Sequence, residues 1–450
     1  MKTFLLIPIL AVALSGVISL FAKSTVEHPV RLSVDVDRRV LPAGSTERAV
    51  VKIGLDCLRL PPRGARPPVN LALVIDRSGS MGGDKIVRAR EAALELVRRL
   101  APDDIISIIA YDTRVETLVP AQRVGHARGL EAAIRGIEAE GNTALHGGVT
   151  RGAAEVRRFI EDSRSVNRVI LLSDGLANVG PSSPEELGRL GHSLMKEGIS
   201  VTTIGLGLGF NEDLMARLAS RSDGNTYFVE NSGDLPGIFN RELGDVLNVV
   251  ARRVVIEIDF PAGVRPVNFV GREGAIRGQK AELTLNQLYG GQEKFALIEV
   301  EVSPEMAGAE REIARARVNY EDALTARSAS VTAQRNVSFS AESKAVVASA
   351  DHKVQADYAA NVLAVAKDEA IALVDSGKKN EAAALLRQRS AELKEIGKVY
   401  SNTIVSAAAA AAAPEAARLE RDGLDNAQRK AYRADSQQVK NQQSSGSARP

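Results

Sequence analysis

The stretch that decides the fold reads Leu71-Ala72-Leu73-Val74-Ile75-Asp76-Arg77-Ser78-Gly79-Ser80-Met81. Its first five residues form a continuous apolar run, which is typical of a strand buried on both faces of a sheet. Asp76, Ser78 and Ser80 follow at once and place side-chain oxygens at alternate positions. Open α/β sheets bind ligands at the carboxyl ends of their strands. We therefore expect this loop to bind a ligand.

Similar short apolar runs recur further along the chain, at residues 105–110, 169–172 and 201–204. Helical patterns lie between them, with apolar residues spaced three or four apart. Strands and helices that alternate in this way predict a doubly wound α/β domain with a mostly parallel sheet. We place this domain at residues 67–249.

The segments on either side of this domain have the alternating apolar pattern of antiparallel strands, at residues 28–66 and 250–340. The first segment holds too few strands to be stable alone, because an isolated hairpin is marginal in water. We therefore expect both segments to form one antiparallel β-sandwich into which the α/β domain is inserted.

Two further segments follow the sandwich. Residues 341–405 have helical periodicity and predict a C-terminal helical hairpin, which serves either as a packed scaffold or as a peptide-binding groove. Residues 406–450 begin with an alanine run and end in polar residues, so we expect a low-complexity, disordered tail.

The N-terminus has one early positive charge, Lys2, followed by an uncharged apolar stretch at residues 4–22. This pattern predicts that residues 1–23 are a signal peptide or an uncleaved membrane anchor. Either reading implies export to the periplasm, the cell envelope or the medium. Membrane contact is expected through this segment alone.

Composition excludes several classes of partner and site. The net charge of +2 gives no electrostatic reason to bind nucleic acid. The single cysteine, Cys57, excludes an intrachain disulfide. The glycine-rich stretch at residues 205–209 lacks the further glycine or lysine of a nucleotide-binding loop, so we expect no small-molecule cofactor.

The oxygens of Asp76, Ser78 and Ser80 suit a hard cation, Mg²⁺ or Ca²⁺, better than zinc. Arg77 lies in the same loop. We expect its side chain to be exposed to solvent, with the steering of an acidic partner as the alternative.

These residues resemble a known family. Asp-x-Ser-x-Ser at 76–80 is similar to the first element of the metal-ion-dependent adhesion site of von Willebrand factor type A (VWA) and integrin I domains. Thr143, after Gly141-Asn142, resembles the second element, and Asp174, at the end of the run from Val169, resembles the third. The resemblance implies that Ser78, Ser80 and Thr143 contact the metal, while Asp76 and Asp174 hold it directly or through water.

The flanking strands further resemble those of bacterial exported VWA proteins of the calcium-activated chloride channel-like or inter-alpha-trypsin-inhibitor heavy chain type. No channel activity follows, since one apolar segment cannot line a pore. The resemblance implies a non-enzymatic module whose metal captures an Asp or Glu carboxylate of a partner protein. One alternative is a structural module whose metal only stabilises the fold. A metal-assisted hydrolase is disfavoured, because the three loops supply no convincing general base.

Overall fold

The computed structural model describes residues 29–59, 66–126, 129–161 and 165–443. Three strands come first: β1 (Val30–Val36), β2 (Val40–Pro42) and β3 (Glu47–Cys57). The predicted signal peptide or anchor lies outside the described residues, as does much of the connector after β3.

The α/β domain follows, and its parallel sheet is covered by helices on both faces. Its elements are β4 (Val69–Asp76), α1 (Asp84–Arg98), β5 (Ile105–Tyr111), β6 (Val115–Arg123), α2 (Leu130–Arg135), α3 (Leu145–Arg157), β7 (Val166–Ser173), α4 (Pro184–Lys196), β8 (Ile199–Leu206), α5 (Glu212–Arg221), β9 (Thr226–Val229) and α6 (Leu235–Val246). Helices α1, α2 and α6 cover one face of the sheet, and α3, α4 and α5 cover the other. Every residue of β4, β5 and β8 is buried, as their apolar composition predicts.

The strand order of this sheet, β6-β5-β4-β7-β8-β9, brings the ligand loops together. Strand β6 is antiparallel to β5, and the remaining pairs are parallel. Strand β4 is central, with β5 and β7 as its neighbours, and Ile75 pairs with Leu172 near the carboxyl ends. The loops that leave β4 and β7 therefore lie side by side. The prediction of a doubly wound, mostly parallel sheet is confirmed.

The second group of strands completes the sandwich. It comprises β10 (Val249–Asp259), β11 (Val264–Val270), β12 (Ala275–Arg277), β13 (Lys280–Tyr289), β14 (Glu293–Val302), β15 (Glu310–Asp322) and β16 (Ser328–Ser340). One sheet has the order β1-β3-β14-β11 and the other β12-β13-β10-β15-β16-β2. Apolar residues of both sheets form one core between them.

The early strands are integral to these sheets. Strand β3 pairs with β14 in antiparallel register from Glu47 opposite Val302 to Asp56 opposite Glu293, and β2 pairs in parallel with β16. The chain therefore leaves the sandwich after β3 and returns to it at β10. The predicted insertion of the α/β domain into a β-sandwich is confirmed.

Five helices end the described chain: α7 (Ser343–Ala348), α8 (His352–Asp375), α9 (Lys379–Val399), α10 (Thr403–Asp422) and α11 (Asn426–Lys440). Helices α8 and α9 pack together as a hairpin. Helix α10 packs on α9, and α11 packs on α8 and on α5 of the α/β domain.

The prediction of a disordered tail at residues 406–450 is wrong as far as Gln443, where the described residues end. Alanine has the highest helix propensity, so the alanine run extends a helix that begins at Thr403. Small side chains also allow close helix packing: a Cβ at Gly397 would lie 2.3 Å from the Ser406 hydroxyl oxygen. The polar helix α11 is fixed by ion pairs, including those of Arg433 with Asp213 and Asp368.

Within the described ranges, no helix combines the length and apolar character needed to cross a membrane.

Candidate metal centre

The first loop of the site begins at the carboxyl end of β4 with a fully buried carboxylate. One oxygen of Asp76 accepts a hydrogen bond from the Ser78 backbone N–H at 2.8 Å. The other accepts from the Ser173 hydroxyl at 2.6 Å. These two bonds fix the carboxylate and turn the chain sharply, so that Ser78 and Ser80 point toward the neighbouring loops.

Two hydrogen bonds join the three loops named by the sequence motif. The Gly79 N–H donates to the carbonyl of Gly141 at 3.0 Å, which joins the first loop to the second. The Thr143 N–H donates to the side-chain oxygen of Asn178 at 2.8 Å, which joins the second loop to the third. Gly141 has a φ of +70°, and a Cβ there would lie 2.8 Å from the Thr113 hydroxyl oxygen, so glycine is required at this position.

Four of the five predicted side chains converge at one place. The Ser78 and Ser80 hydroxyl oxygens are 3.1 Å apart, and Ser80 donates to one oxygen of Asp174 at 2.7 Å. A Cβ built on Gly175 would lie 3.0 Å from the Thr143 hydroxyl oxygen, 3.3 Å from that of Ser80 and 3.6 Å from that of Ser78. We call Ser78, Ser80, Thr143 and Asp174 the hydroxyl cluster. Asp76 lies directly behind it.

The electrostatics of the hydroxyl cluster favour a cation. Burial raises the pKa of the Asp76 carboxyl, and the nearby negative charge of Asp174 raises it further, while hydrogen bonds from Ser173 and Ser78 oppose the shift. The two buried carboxylates, Asp76 and Asp174, carry more negative charge than the single Lys85 ammonium beside them compensates, so a bound cation would be favoured there. Oxygen donors alone suit Mg²⁺ or Ca²⁺. The residues present therefore fit the predicted metal.

The hydroxyl cluster differs from metal sites built on acidic, histidine or cysteine side chains. No group of three or more such side chains that could hold a metal occurs among the described residues. Three of the oxygen donors of the hydroxyl cluster are hydroxyls, and only Asp174 is a carboxylate.

Sequence reasoning missed two residues of the site. Ser173 anchors Asp76, and the Lys85 ammonium pairs with the second oxygen of Asp174 and approaches the Ser80 carbonyl at 3.3 Å. The sequence does contain an indication of the role of Lys85. A lysine in the first turn of a helix interacts unfavourably with the helix dipole unless a nearby carboxylate compensates its charge.

The expected solvent exposure of Arg77 is wrong. Its side chain is only 14% exposed and forms ion pairs with Asp112 at 2.7 Å and with Glu116 at 3.1 Å. Asp112 lies just past the end of the neighbouring strand β5, so parallel strand pairing places the two charges together.

Comparison with known proteins agrees with this architecture. The family model of the von Willebrand factor type A domain matches residues 70–241. The uncharacterized protein sll0103 of Synechocystis sp. is 29% identical over 57% of this chain and 62% of its own length. The uncharacterized protein YfbK of Escherichia coli is 30% identical over 46% of this chain and 36% of its own. Inter-alpha-trypsin inhibitor heavy chain H3 of Mesocricetus auratus is 27% identical over 49% of this chain and 26% of its own length. This chain thus spans less than two-thirds of each relative.

Two solved structures share the fold over nearly the whole chain. A von Willebrand factor type A protein from Catenulispora acidiphila has a TM-score of 0.64 at 17% identity and covers 83% of this chain and 90% of its own. The ArnB paralog VWA2 from Sulfolobus acidocaldarius has a TM-score of 0.59 at 17% identity. The match covers 92% of this chain and 98% of the other. The fold and the family match together show that this chain contains a von Willebrand factor type A domain, at residues 70–241.

Proposed function

We propose that this chain is an exported, non-enzymatic protein-binding module with a metal-ion-dependent adhesion site. Asp76, Ser78, Ser80, Thr143 and Asp174 would hold Mg²⁺ or Ca²⁺. When bound, the cation supplies a positively charged position for an Asp or Glu carboxylate of a partner protein. The observation that carries the proposal is the convergence of three hydroxyls and Asp174 around one point.

The choice of ligands supports binding of an anionic partner. Hydroxyl oxygens carry no formal charge, so they leave much of the cation's charge uncompensated for an incoming carboxylate. The relatives are consistent with a protein-interaction module, and export is inferred from the sequence of residues 1–23 alone.

Magnesium binding tests the proposal directly. Calorimetric titration with Mg²⁺ and with Ca²⁺ is compared for the wild type, Asp174→Ala and the control Asp84→Ala. Asp84 lies in the first turn of α1, and its side chain is 66% exposed. We expect binding to the wild type and the control and none to Asp174→Ala. At a metal concentration 100 times Kd, the wild type should gain about 2.7 kcal/mol in the free energy of unfolding.

Retention of partners then separates the two non-enzymatic readings. Wild type and Asp174→Ala, each as the full chain, are used to capture proteins from an envelope extract with Mg²⁺ or with EDTA. A protein that the wild type retains only with Mg²⁺ and Asp174→Ala never retains supports the adhesion reading. Metal binding that stabilises the fold, together with identical captures in both buffers, would instead favour the structural module.

A further inference from the structure

The edge strands of the three sheets differ in how they are protected from pairing with a further strand. An open edge presents unpaired backbone N–H and C=O groups, which proteins block with charges, proline, bulges, short strands or covering elements. Strands β6 and β11 contain Pro120 and Pro266 and pair irregularly with their neighbours. Strand β1 contains Arg31 and Asp35, β2 and β12 have only three residues each, and α11 packs against β9. The α/β domain hydrogen-bonds to β13 beyond the end of β12. Each of these edges is therefore blocked.

Strand β16 lacks these features over most of its length. Its outer neighbour, β2, pairs only with residues 338–340, whereas β15 pairs with β16 from Ser328 onward. Among the parts of the chain that the structure describes, residues 328–337 therefore have a paired strand on one side only. The first seven of them, Ser-Ala-Ser-Val-Thr-Ala-Gln, contain no charge, proline or glycine, and their pairing with β15 is regular. We call residues 328–334 the open edge.

The side chains of the open edge alternate between the two faces of the sheet. Those that are partly buried against the sandwich core are Ala329, Val331 and Ala333. Those that are exposed on the outer face are Ser328, Ser330, Thr332 and Gln334. In an antiparallel pair, directly opposite residues lie on the same face of the sheet. A second copy of the open edge, aligned antiparallel about Thr332, therefore matches apolar with apolar side chains over residues 330–334, and polar with polar.

Charge does not oppose this pairing. The open edge has no charged side chain, so no like charges lie opposite one another within it. Arg335, which follows the open edge, is held by β1, because its guanidinium donates to the Val34 carbonyl and to the Asp35 carboxylate, each at 2.7 Å. The alignment places Ala329 opposite Arg335. The open edge is therefore complementary to itself, as a two-fold contact between identical copies requires.

We propose that the open edge joins two copies of this chain, with β16 of one copy antiparallel to β16 of the other. The two six-stranded sandwich sheets then form one continuous sheet across a two-fold axis. The contact uses no residue of the α/β domain, so the dimer carries two hydroxyl clusters. A partner surface that offers two ligands would bind such a dimer more tightly than it binds one copy.

Sedimentation of the full chain over a concentration series tests this interface. Thr332→Lys places two like charges directly opposite one another at the two-fold axis, which opposes association. The matched control, Thr284→Lys, makes the same change at an exposed position of β13 in the same sheet. We expect the wild type and the control to form dimers with the same Kd, in Mg²⁺ and in EDTA alike. Thr332→Lys should raise that Kd roughly tenfold or more. Circular dichroism verifies that both variants fold.

A pair of cysteine variants tests the alignment. The natural Cys57 is buried, so Thr332→Cys introduces an exposed thiol, and Thr284→Cys is its control. Side chains directly opposite in an antiparallel pair have Cβ atoms roughly 4.5–5.5 Å apart, so mild oxidation should cross-link Thr332→Cys into dimers and leave Thr284→Cys uncross-linked. A wild type that is monomeric at every concentration, a dimer that EDTA dissociates, an unchanged Kd in Thr332→Lys, or no selective cross-linking of Thr332→Cys overturns the proposal.

Discussion

Two buried polar clusters lie toward opposite ends of the same parallel sheet, and they are neutralised in different ways. The hydroxyl cluster lies at the carboxyl ends of β4 and β7. The second cluster surrounds Arg168, the third residue of β7, whose side chain is 0% exposed. We call it the arginine cluster.

In the arginine cluster, groups of the chain itself bond to the Arg168 guanidinium and compensate its charge. The Arg168 guanidinium donates to Thr202 at 3.1 Å, to Gln287 at 2.8 Å and to the Tyr289 hydroxyl. The Glu242 carboxylate lies 3.5 Å away and supplies the counter-charge. Gln287 and Tyr289 belong to strand β13, so the cluster joins the α/β domain to the sandwich.

The hydroxyl cluster is formed by the α/β domain alone, and its compensating positive charge lies at the edge of the cluster. Its counter-charge is Lys85, whose side chain is 36% exposed. Its three hydroxyls lie 3.0–3.6 Å from one point beside Gly175, whereas the polar groups around Arg168 bond to that buried guanidinium. The difference identifies the arginine cluster as a structural joint, and it supports the proposal that the hydroxyl cluster is a ligand site.

The largest expected loss in the free energy of unfolding comes from disrupting the arginine cluster. Arg168→Met removes the cation that compensates the buried Glu242 carboxylate. Breaking a buried pair in this way destabilises a protein by about 3–5 kcal/mol. Urea unfolding of the full chain, followed by circular dichroism, measures the loss.

The matched control for this prediction is Arg168→Met combined with Glu242→Gln. It removes both charges of the pair, so its loss should be clearly smaller than that of the single variant. Magnesium binding should survive in any variant that still folds. A single-variant loss below about 1 kcal/mol would contradict the interpretation of the arginine cluster as a joint.

The sequence predicts the hydroxyl cluster better than the arginine cluster, for a physical reason. Asp76, Thr143 and Asp174 each follow a strand or lie in a loop recognisable from local pattern, and parallel pairing brings such ends together. Their role as metal ligands stays a prediction. Arg168 instead sits inside a strand, and its partners Gln287 and Tyr289 are 119 and 121 residues away. No local pattern encodes that contact.

The C-terminal helices show a second limit of sequence reasoning. Composition alone cannot separate a disordered alanine run from a packed helix, because the outcome depends on a surface that accepts small side chains. Here α9 provides it: the Ser390 hydroxyl donates to the Ala409 carbonyl at 2.8 Å across the interface. The fold class was predictable from periodicity, whereas this tertiary contact was not.

A smaller change, an increase in the free energy of unfolding, is expected from Asp76→Asn in EDTA at neutral pH. Burial and the charge of Asp174 raise the pKa of Asp76 in the folded chain. The contribution of Asp76 to wild-type stability is therefore greatest where its carboxyl is protonated, and it is lost as the pH rises through the folded pKa. The asparagine variant lacks this penalty, so it should be more stable than the wild type at neutral pH and equal to it in acid. It should bind Mg²⁺ more weakly.

Urea unfolding across a pH series checks this prediction, with Asp84→Asn as the control. The Asp84 side chain is 66% exposed, so this control removes a carboxylate of the same loop region without relieving a burial penalty. An Asp76→Asn variant that is less stable than the wild type at neutral pH in EDTA would show that the carboxylate stabilises the metal-free fold. The contrast between the two clusters would then be lost.

The smallest expected effect concerns the partly exposed counter-charge, Lys85. Its ammonium and a divalent cation are attracted to the same carboxylate, Asp174, so Lys85→Met should raise the affinity for Mg²⁺. Because the lysine is partly exposed, its interaction is screened, and we expect roughly 1 kcal/mol, or about fivefold in Kd. Calorimetric titration measures the change, with Arg88→Met as the control, since Arg88 is an exposed cation one turn further along α1. Weaker magnesium binding by Lys85→Met would mean that the lysine helps to position Asp174 for the metal. The hydroxyl cluster would then resemble the arginine cluster in depending on its own fixed cation.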